Sequence, residues 1–301
     1  MKIGIIGASS NIAGKAYLPV YARLQAQHEF VIYSRELSKA EEIRARYQFA
    51  KATNQLANLE LCDVVFIHAA TNQHFELAKR FLTAGIHVFM DKPISEDFAQ
   101  VQELYQLAEK QERLFVIGFN RRFLPLIDKL KNVEHKNTII VMKNLANNSA
   151  EARFTLYDIF IHPLDTLIYL LDDEILDVNY SVDLTADGKI NRTFVIVKTA
   201  TTTGIARMNL QSGAFTEEFT VEAESGTYRL SDLTELESFT GIDRQKSGIN
   251  GWQSATFNRG FDKMVEEMLT AVAGNSADLR QEKIVKSHEI INQIIKENKI
   301  N

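Results

Sequence analysis

The chain begins MKIGIIGASSNIAGKAYLPV (residues 1–20), where a strand pattern, a glycine turn and a helix pattern follow one another. Residues 2–6 form a short apolar run rich in isoleucine, which predicts a buried strand. Gly7 follows at once, and capping residues at 9–11 precede a helical pattern that starts at Ile12. This is the order of a dinucleotide-binding turn, but a serine replaces the second glycine of that fingerprint and the turn is one residue longer. The stretch alone leaves a nucleotide turn and a look-alike both open.

Composition excludes several classes of function. The chain has 301 residues, of which 45% are hydrophobic and 24% charged, as in globular proteins of one or two domains. Its net charge of −5 argues against a nucleic-acid partner, which requires a basic face. The single cysteine, Cys62, excludes an internal disulfide and a cysteine-based metal cluster. The N-terminal apolar run is too short for a signal peptide, and no segment approaches the ~20 apolar residues of a membrane span. We therefore expect a cytoplasmic protein without a membrane partner.

The first part of the chain alternates between strand and helix patterns. Strand patterns at 29–34, 62–70, 86–93 and 113–119 alternate with helix patterns at 36–47, 73–84 and 95–111. This alternation predicts right-handed crossovers and a parallel sheet, and the near-continuous apolar strands predict helices on both faces. We predict an α/β protein with a Rossmann domain, built on a doubly wound parallel sheet, at residues 1–119.

The pattern changes after Gly118. The predicted elements are a helix near 121–131, a strand near 137–143, a helix near 155–171, strands between 177 and 230, and helices near 257–273 and 280–297. Successive strands with short connections predict an antiparallel sheet. We predict an α+β domain with a largely antiparallel open sheet at residues 120–301, which serves substrate binding and oligomerisation.

Ligands of open parallel sheets bind at the carboxyl ends of the strands, where Ser34-Arg35, residues 69–72 and Asp91-Lys92-Pro93 fall. Ser34-Arg35 stands in place of the acidic residue that binds the ribose 2′-hydroxyl of NAD. Because a guanidinium grips a phosphate with several donors, this pair favours the 2′-phosphate of NADP. Taken alone, Arg35 is equally compatible with a solvated loop position.

Lys92 follows a predicted strand, between an acid and a proline. A lysine at that edge can donate to a substrate oxygen or move a proton, and Asp91 can hold its ammonium group or cap the following turn. Surface turns also have this appearance, so the motif by itself does not decide between the two.

Two arginines, Arg121 and Arg122, stand in the first turn of the predicted helix after Gly118. Cations there oppose the helix dipole, which favours acids at a helix start. Either an ion pair between the domains or an anionic ligand should compensate, and we favour the ion pair.

Asp158, His162 and Asp165 occur at positions i, i+4 and i+7 of YDIFIHPLDTLIYLL, which places them on one helical face. On an apolar helix they must either pair with one another or line a cleft, and a satisfied core histidine is the alternative. A metal site is a third interpretation, but the stretch lacks a zinc signature. Pro163 predicts a bend or a break just after His162.

Taken in order, these segments resemble the Gfo/Idh/MocA oxidoreductases, the family of glucose–fructose oxidoreductase, inositol dehydrogenase and rhizopine catabolism proteins. The matching motifs are the Rossmann turn, DKP at 91–93, GFNRRF at 118–123 and DIFIHPLD at 158–165. IAGKAYLPV, FIHAATNQHF, GFNRRFLPL and GWQSATFNRGF (251–261) further resemble the MviM (YceM)-like branch. The resemblance covers nearly the whole chain.

The resemblance implies an NAD(P)-dependent oxidoreductase that moves a hydride between a nicotinamide cofactor and a sugar, polyol or related hydroxyl compound. It implies that Lys92 contacts the substrate hydroxyl and the nicotinamide ribose, that His162 is the acid/base, and that Asp158 accompanies it. During oxidation His162 would take the hydroxyl proton, while Lys92 faces the same substrate from the other domain. We expect NADP, with NAD as the second choice, and no metal.

The predicted cofactor-binding residues come from both the turn analysis and the resemblance. They are Gly7, Ser9, Ser10, Asn11, Ile12, Ser34, Arg35, Ala70, Thr71, Asn72, His74, Asp91, Lys92 and Arg121. The missing central glycine also keeps a second function open, a nucleotide-binding regulatory or scaffold protein without turnover. Lys92, Asp158 and His162 together favour the enzyme.

Self-association is expected through the second sheet. TFVIVKTA (193–200) and GIARMNLQ (204–211) alternate only partly between polar and apolar residues, so a second apolar face is available to another copy. We predict a homodimer or homotetramer formed through the C-terminal sheet.

Overall fold

The computed structural model describes residues 1–300, which fall into two compact units. The N-terminal unit comprises Met1–Asn120 and Gly260–Gln281, and the C-terminal unit comprises Arg121–Arg259 and the chain from Glu282 onward. Gly260–Gln281, which the sequence analysis assigned to the second domain, therefore packs with the first.

Two contacts inside the N-terminal unit account for the placement of that late segment. The ring of Phe261 packs edge-on against the ring of Tyr17, with their centroids 5.1 Å apart. The Gln281 side chain accepts a hydrogen bond from the backbone N–H of Ile117 (2.8 Å) and donates one to the carbonyl oxygen of the same residue (3.3 Å).

The structure contains the following strands and helices. The strands are β1 Lys2–Ile6, β2 Glu29–Tyr33, β3 Lys51–Thr53, β4 Val64–Ile67, β5 His87–Asp91, β6 Phe115–Gly118, β7 Lys136–Asn144, β8 Ala150–Glu151, β9 Asp177–Leu184, β10 Lys189–Lys198, β11 Thr203–Asn209, β12 Thr216–Ala223, β13 Gly226–Ser231, β14 Glu235–Thr240 and β15 Asp243–Gly248. The α-helices are α1 Leu18–Leu24, α2 Leu37–Tyr47, α3 Thr71–Thr83, α4 Phe98–Lys110, α5 Ile127–Lys131, α6 Ala152–Thr155, α7 Ile161–Leu170, α8 Ala255–Asn258, α9 Phe261–Val272 and α10 Ile284–Glu297.

The sheet of the N-terminal unit has six parallel strands in the order β3-β2-β1-β4-β5-β6. This confirms the predicted doubly wound sheet. Its central strands have no accessible surface at Ile5, Val65 and Phe89, as expected when helices cover both faces. The strand order reverses between β1 and β4, so a crevice for ligands is expected beyond the carboxyl ends of these two strands.

The C-terminal unit carries a nine-stranded sheet in the order β15-β14-β13-β12-β7-β11-β10-β8, with β9 also paired to β10. All pairs are antiparallel except β7 with β11, which confirms the largely antiparallel sheet. Helix α7, in which every residue is buried, packs on β7 and β11 and covers one face of this sheet.

The opposite face of that sheet carries a row of paired isoleucines. Ile205 of β11 is paired with Ile196 of β10 on one side and with Ile140 of β7 on the other. All three side chains are partly exposed, whereas their strand neighbours Ile139 and Val195 have no accessible surface. The partial alternation noted in the sequence thus corresponds to an apolar stripe on the uncovered face.

The segment predicted as one helix near 155–171 is irregular. Helix α6 passes into a π-helical segment, Leu156–Phe160, which leads directly into α7. Pro163 lies in the first turn of α7 without breaking it, so the predicted break after His162 is wrong. The irregular part of the helix is the π-helical segment Leu156–Phe160, which lies before Pro163 and not after it.

Among residues 1–300, no helix combines the length and the apolar character that crossing a membrane requires.

Candidate functional site

The turn after β1 is held against the turn after β4. Gly7 has a φ of +77°, and a Cβ atom built on it would lie 2.4 Å from the carbonyl carbon of His68. Only glycine fits such an approach of two backbones. The first glycine of the fingerprint is therefore required here by both conformation and space.

The rest of this turn keeps its conformation without a second glycine. Ser9 is exposed and has no positive φ, so its position does not demand glycine. The Ser10 N–H donates to the Gly7 carbonyl oxygen (2.9 Å), and the Ser10 hydroxyl accepts from the Ala13 N–H (3.2 Å). The following segment, Ala13–Tyr17, is π-helical, which accommodates the extra residue noted in the sequence.

A cleft of about 410 Å³ opens at the carboxyl ends of β1, β2 and β4. It is lined by Ile6, Gly7, Ser9, Ser10, Tyr33, Ser34, Arg35, Glu36, Lys39, Leu56, His68, Ala69, Ala70, Gln73 and Leu77. Six predicted cofactor residues are in this lining: Gly7, Ser9, Ser10, Ser34, Arg35 and Ala70. The predicted Asn11, Ile12, Thr71, Asn72, His74, Asp91, Lys92 and Arg121 are not in it.

One end of the cleft is charged. Arg35 is exposed there, and the Lys39 ammonium pairs with the Glu36 carboxylate at 2.7 Å. The Ser34 hydroxyl accepts a hydrogen bond from the Glu36 N–H (3.3 Å), which shapes the start of α2. Lys39 was not predicted as a cleft residue, although it lies four residues after Arg35 at the start of a predicted helix, where the two side chains share a helical face.

Beneath the cleft, four side chains form a buried polar network. The Asp91 carboxylate accepts from the Tyr17 hydroxyl at 2.5 Å and contacts His68 Nδ1 at 2.9 Å. His68 Nε2 lies 2.8 Å from the Tyr21 hydroxyl. Burial, followed by the charge of Asp91, raises the pKa of both tyrosines well above their usual value. Asp91 thus uses both carboxylate oxygens inside its own unit, and its predicted contact with the cofactor stays a prediction.

His74 also has a structural environment. Its ring nitrogens lie 2.8 Å from the Pro93 carbonyl oxygen and 2.9 Å from the Ala69 carbonyl oxygen, and the side chain is buried. Burial lowers the pKa of His74. His74 therefore links the turn after β4 to the turn that contains Lys92, and any effect on a cofactor would pass through these two turns.

In the C-terminal unit, His162 is held by Arg121. Arg121 Nη1 lies 3.0 Å from His162 Nδ1, and both side chains are largely buried. The same guanidinium donates two hydrogen bonds to the Glu217 carboxylate, at 2.5 and 2.9 Å. These contacts fix Arg121 beside His162, and the cofactor contact expected of Arg121 stays a prediction.

Arg122 forms a separate ion pair. It donates to both carboxylate oxygens of Asp165, at 2.9 and 2.8 Å, and to the Glu282 carbonyl oxygen at 2.8 Å. Its guanidinium carbon lies 5.1 Å from the centroid of the Tyr169 ring. Both arginines are thus compensated by carboxylates, and the partners Glu217 and Asp165 belong to the same unit as the arginines.

The predicted set of Asp158, His162 and Asp165 is divided by these contacts. Both carboxylate oxygens of Asp165 accept hydrogen bonds from Arg122, whereas Asp158 lies in the π-helical segment and is partly exposed. The ion pair of Arg121 and Glu217, which we call the clamp on His162, borders a pocket of about 320 Å³. Lys143 and Arg259 also line this pocket. Within residues 1–300, no group of three or more His, Cys, Asp or Glu side chains is arranged to hold a metal ion.

Comparison with known proteins gives consistent relatives. Residues 1–119 match the model of the Gfo/Idh/MocA oxidoreductase family, NAD-binding Rossmann fold. The putative oxidoreductase YceM of Salmonella typhimurium is 29% identical over 93% of this chain and 95% of its own length. A dehydrogenase (MviM) structure from Clostridium difficile has a TM-score of 0.92 and 26% identity, and the match covers 99% of each chain. The myo-inositol 2-dehydrogenase of Thermotoga maritima is 28% identical over 43% of this chain and 42% of its own length.

Proposed function

We propose that the chain is an oxidoreductase of the Gfo/Idh/MocA type, an NADP-dependent dehydrogenase of a sugar, polyol or related hydroxyl compound. The observation that carries the proposal is the cleft at the reversal of strand order, where the Gly7 turn meets the turn after β4. The myo-inositol 2-dehydrogenase relative supports a polyol-like substrate.

The cleft residues fit a nicotinamide dinucleotide. Gly7 packs against the backbone of the turn after β4, and these two turns border the cleft in which a pyrophosphate would lie. Exposed Ser9 presents its N–H and hydroxyl groups, and partly exposed Ser10 its hydroxyl group, at the start of the following helix, where an anion is favoured. When bound, the nicotinamide ring would supply the hydride chemistry.

The preference for NADP rests on the charged end of the cleft. Arg35 and Lys39 provide two cations, and Glu36 provides one anion that is already paired with Lys39. A 2′-phosphate carries enough negative charge to engage both cations, whereas a 2′-hydroxyl does not.

We assign the chemistry to the residues that the family resemblance implies, Lys92, Asp158 and His162. Lys92 follows β5, and His162 is oriented by Arg121 in the first turn of α7. The alternative, a nucleotide-binding protein without turnover, rests mainly on the missing glycine. Ser9 has an ordinary backbone conformation, so the turn itself folds without a glycine there.

Two further assignments complete the proposal. We propose that copies of the chain associate through the uncovered face of the C-terminal sheet, on which the paired isoleucines lie. We also propose a cytoplasmic location, because the single cysteine, Cys62, is buried and unpaired.

The test begins with thermal shifts of the purified protein in NADP+, NAD+ and neither. Reduction of each cofactor is then followed across a panel of polyols, sugars and sugar acids, with the His162→Ala protein as the control. We expect a larger shift with NADP+ and turnover that the control lacks. Binding of neither cofactor would contradict the proposal, and binding without turnover on any panel member would favour the regulatory alternative.

A further inference from the structure

The hydrogen bond between Arg121 and His162 fixes where the histidine carries its proton. A guanidinium has five N–H donors, no acceptor, and a charge that it keeps at all accessible pH values. Since Nη1 lies 3.0 Å from Nδ1, the contact is a hydrogen bond only when Nδ1 is an unprotonated acceptor. A neutral imidazole with Nδ1 unprotonated carries its single proton on Nε2. The imidazolium form would place one N–H against another.

The Arg121 guanidinium is held in its position beside the His162 ring. Glu217 holds it through two hydrogen bonds in a bidentate arrangement, with 10% of the Arg121 side chain and 13% of the Glu217 side chain exposed. Burial disfavours the charge of Glu217, but Arg121, Lys143 and Arg259 outweigh burial and hold the pKa of this carboxyl below its usual value. The clamp therefore stays charged at neutral pH.

We propose that Arg121, clamped by Glu217, fixes His162 as a neutral ring protonated on Nε2, so that His162 donates a hydrogen bond to the reacting substrate oxygen and does not accept its proton. This inference rests on the proposed dehydrogenase function. It revises the role that the family resemblance implies for this residue, because a base at Nε2 would need the opposite tautomer, with Nδ1–H directed at a guanidinium.

The proton of the substrate then requires another acceptor. In the oxidation direction, a bound nicotinamide cofactor would accept the hydrogen of the substrate carbon together with both electrons of the C–H bond. The hydroxyl proton passes to a water molecule, and the oxygen forms a carbonyl. Throughout, the Nε2–H of His162 donates to that oxygen and stabilises the negative charge that develops on it. In reduction the same groups act in reverse.

The tautomer can be measured without substrate or cofactor. In protein labelled with 15N in histidine, long-range 1H–15N correlations near neutral pH distinguish a protonated from an unprotonated ring nitrogen, and the His162→Gln protein identifies the signals of residue 162. We expect a protonated Nε2 and an unprotonated Nδ1. A proton on Nδ1, alone or together with one on Nε2, would overturn the proposal.

Substitutions test whether Arg121 determines the tautomer of His162. Arg121→Met should allow protonation of Nδ1, whereas Arg207→Met, which removes an exposed arginine of β11, should leave the His162 signals unchanged. If circular dichroism shows that Arg121→Met does not fold, Glu217→Gln takes its place. An unchanged Nε2–H tautomer after loss of the clamp would refute the role of Arg121.

Kinetics provide a second readout once a substrate is known. A glutamine amide can donate a hydrogen bond but cannot exchange a proton, so His162→Gln should retain turnover within about tenfold of the wild type. His162→Ala should lose substantially more. Equal loss in both variants would contradict the donor role. Absence of turnover in the wild type would count against the proposed function alone, since the tautomer measurement does not depend on it.

Discussion

Gly7 and His68 approach so closely that no side chain fits between them: a Cβ atom on Gly7 would lie 2.4 Å from the carbonyl carbon of His68 and 2.5 Å from its oxygen. The two residues end neighbouring parallel strands, β1 and β4, at the point where strand order reverses. The floor of the cleft is thus a contact between two backbones, which places a strict size limit on residue 7.

This contact predicts different effects of alanine at Gly7 and at Gly14, which lies in the π-helical segment after the turn. Gly7→Ala should lower the free energy of unfolding by about 1–3 kcal/mol, because alanine combines a positive φ with overlap of backbone atoms. Gly14→Ala is the matched control. Its Cβ would meet no atom within 4 Å, so it should be neutral or stabilise by about 0.5–1 kcal/mol. Urea unfolding of both proteins measures the difference, and equal effects would contradict it.

Cofactor preference should depend on Arg35. NADP should bind more tightly than NAD by about 1–3 kcal/mol, the range of a charge-assisted hydrogen bond, and Arg35→Ala should remove most of this preference while leaving NAD binding intact. Calorimetric titration of each cofactor into both proteins provides the measurement. Equal affinities in the wild type, or an unaltered ratio in the variant, would be incompatible with this assignment.

Substitution of the proposed catalytic residues should separate chemistry from stability. His162→Ala should reduce kcat by about 10²–10⁴-fold and leave the Kd for NADP nearly unchanged, because a positioned proton-transfer or hydrogen-bonding group acts mainly in the transition state. Lys92→Ala should affect both KM and kcat. If His162 were only a core histidine, its replacement would instead lower Tm and preserve the activity of each folded molecule.

Stability should decline in acid because of His288. This residue of α10 is completely buried, and burial lowers its pKa to about 4. The unfolded chain takes up this proton below about pH 6.5, whereas the folded chain excludes it until about pH 4. Stability attributable to His288 is therefore complete above pH 6.5 and is lost between 6.5 and 4, by about 3 kcal/mol in all.

Urea unfolding of the wild type and of His288→Gln, at several pH values through that interval, isolates the effect from the other histidines. The difference between the two proteins should narrow as the pH falls. A constant difference would show that His288 titrates alike in both states.

Self-association should require the paired isoleucines. Replacement of Ile205 by lysine places a charge at the centre of the stripe formed with Ile140 and Ile196, and should convert an oligomer to a monomer. Leu61→Lys is a suitable control, because Leu61 is 73% exposed and lies in the other unit. Light scattering at micromolar concentration reports the mass. A monomeric wild type would refute the interface.

The sequence predicted the parallel sheet well because its strands are continuous apolar runs between helical patterns. It missed four strands: β3, which has three residues, β8, which has two, β14, and β15, in which all six residues are exposed. Strand β15 exists because it forms a hairpin with β14, and such pairing leaves no apolar pattern. The Gly260–Gln281 segment joined the other unit through contacts with Tyr17 and Ile117, which are distant in sequence.

The candidate site, like the fold, was predictable only in part. Residues next to strand ends could be found, because topology alone places Ser34 and Arg35 beside a cleft. The clamp on His162 could not be found from the sequence, because Glu217 lies 96 residues from Arg121 and belongs to a strand with no distinguishing motif. The network of Asp91, His68 and the two tyrosines was likewise hidden, since each member looks like an ordinary residue in its own segment.

The π-helical segment Leu156–Phe160 affects how this chain should be aligned with its relatives. A π-helical turn arises when one residue is inserted into an α-helix, and the inserted residue shifts the helix phase on one side by roughly 100°. A relative with a regular α-helix would therefore need a one-residue gap between positions 156 and 160. Without that gap, an ungapped alignment would equate Asp158 with a residue on a different side of the helix. Deletion of one residue from this segment, rather than substitution of Asp158, is the change that would restore the regular phase.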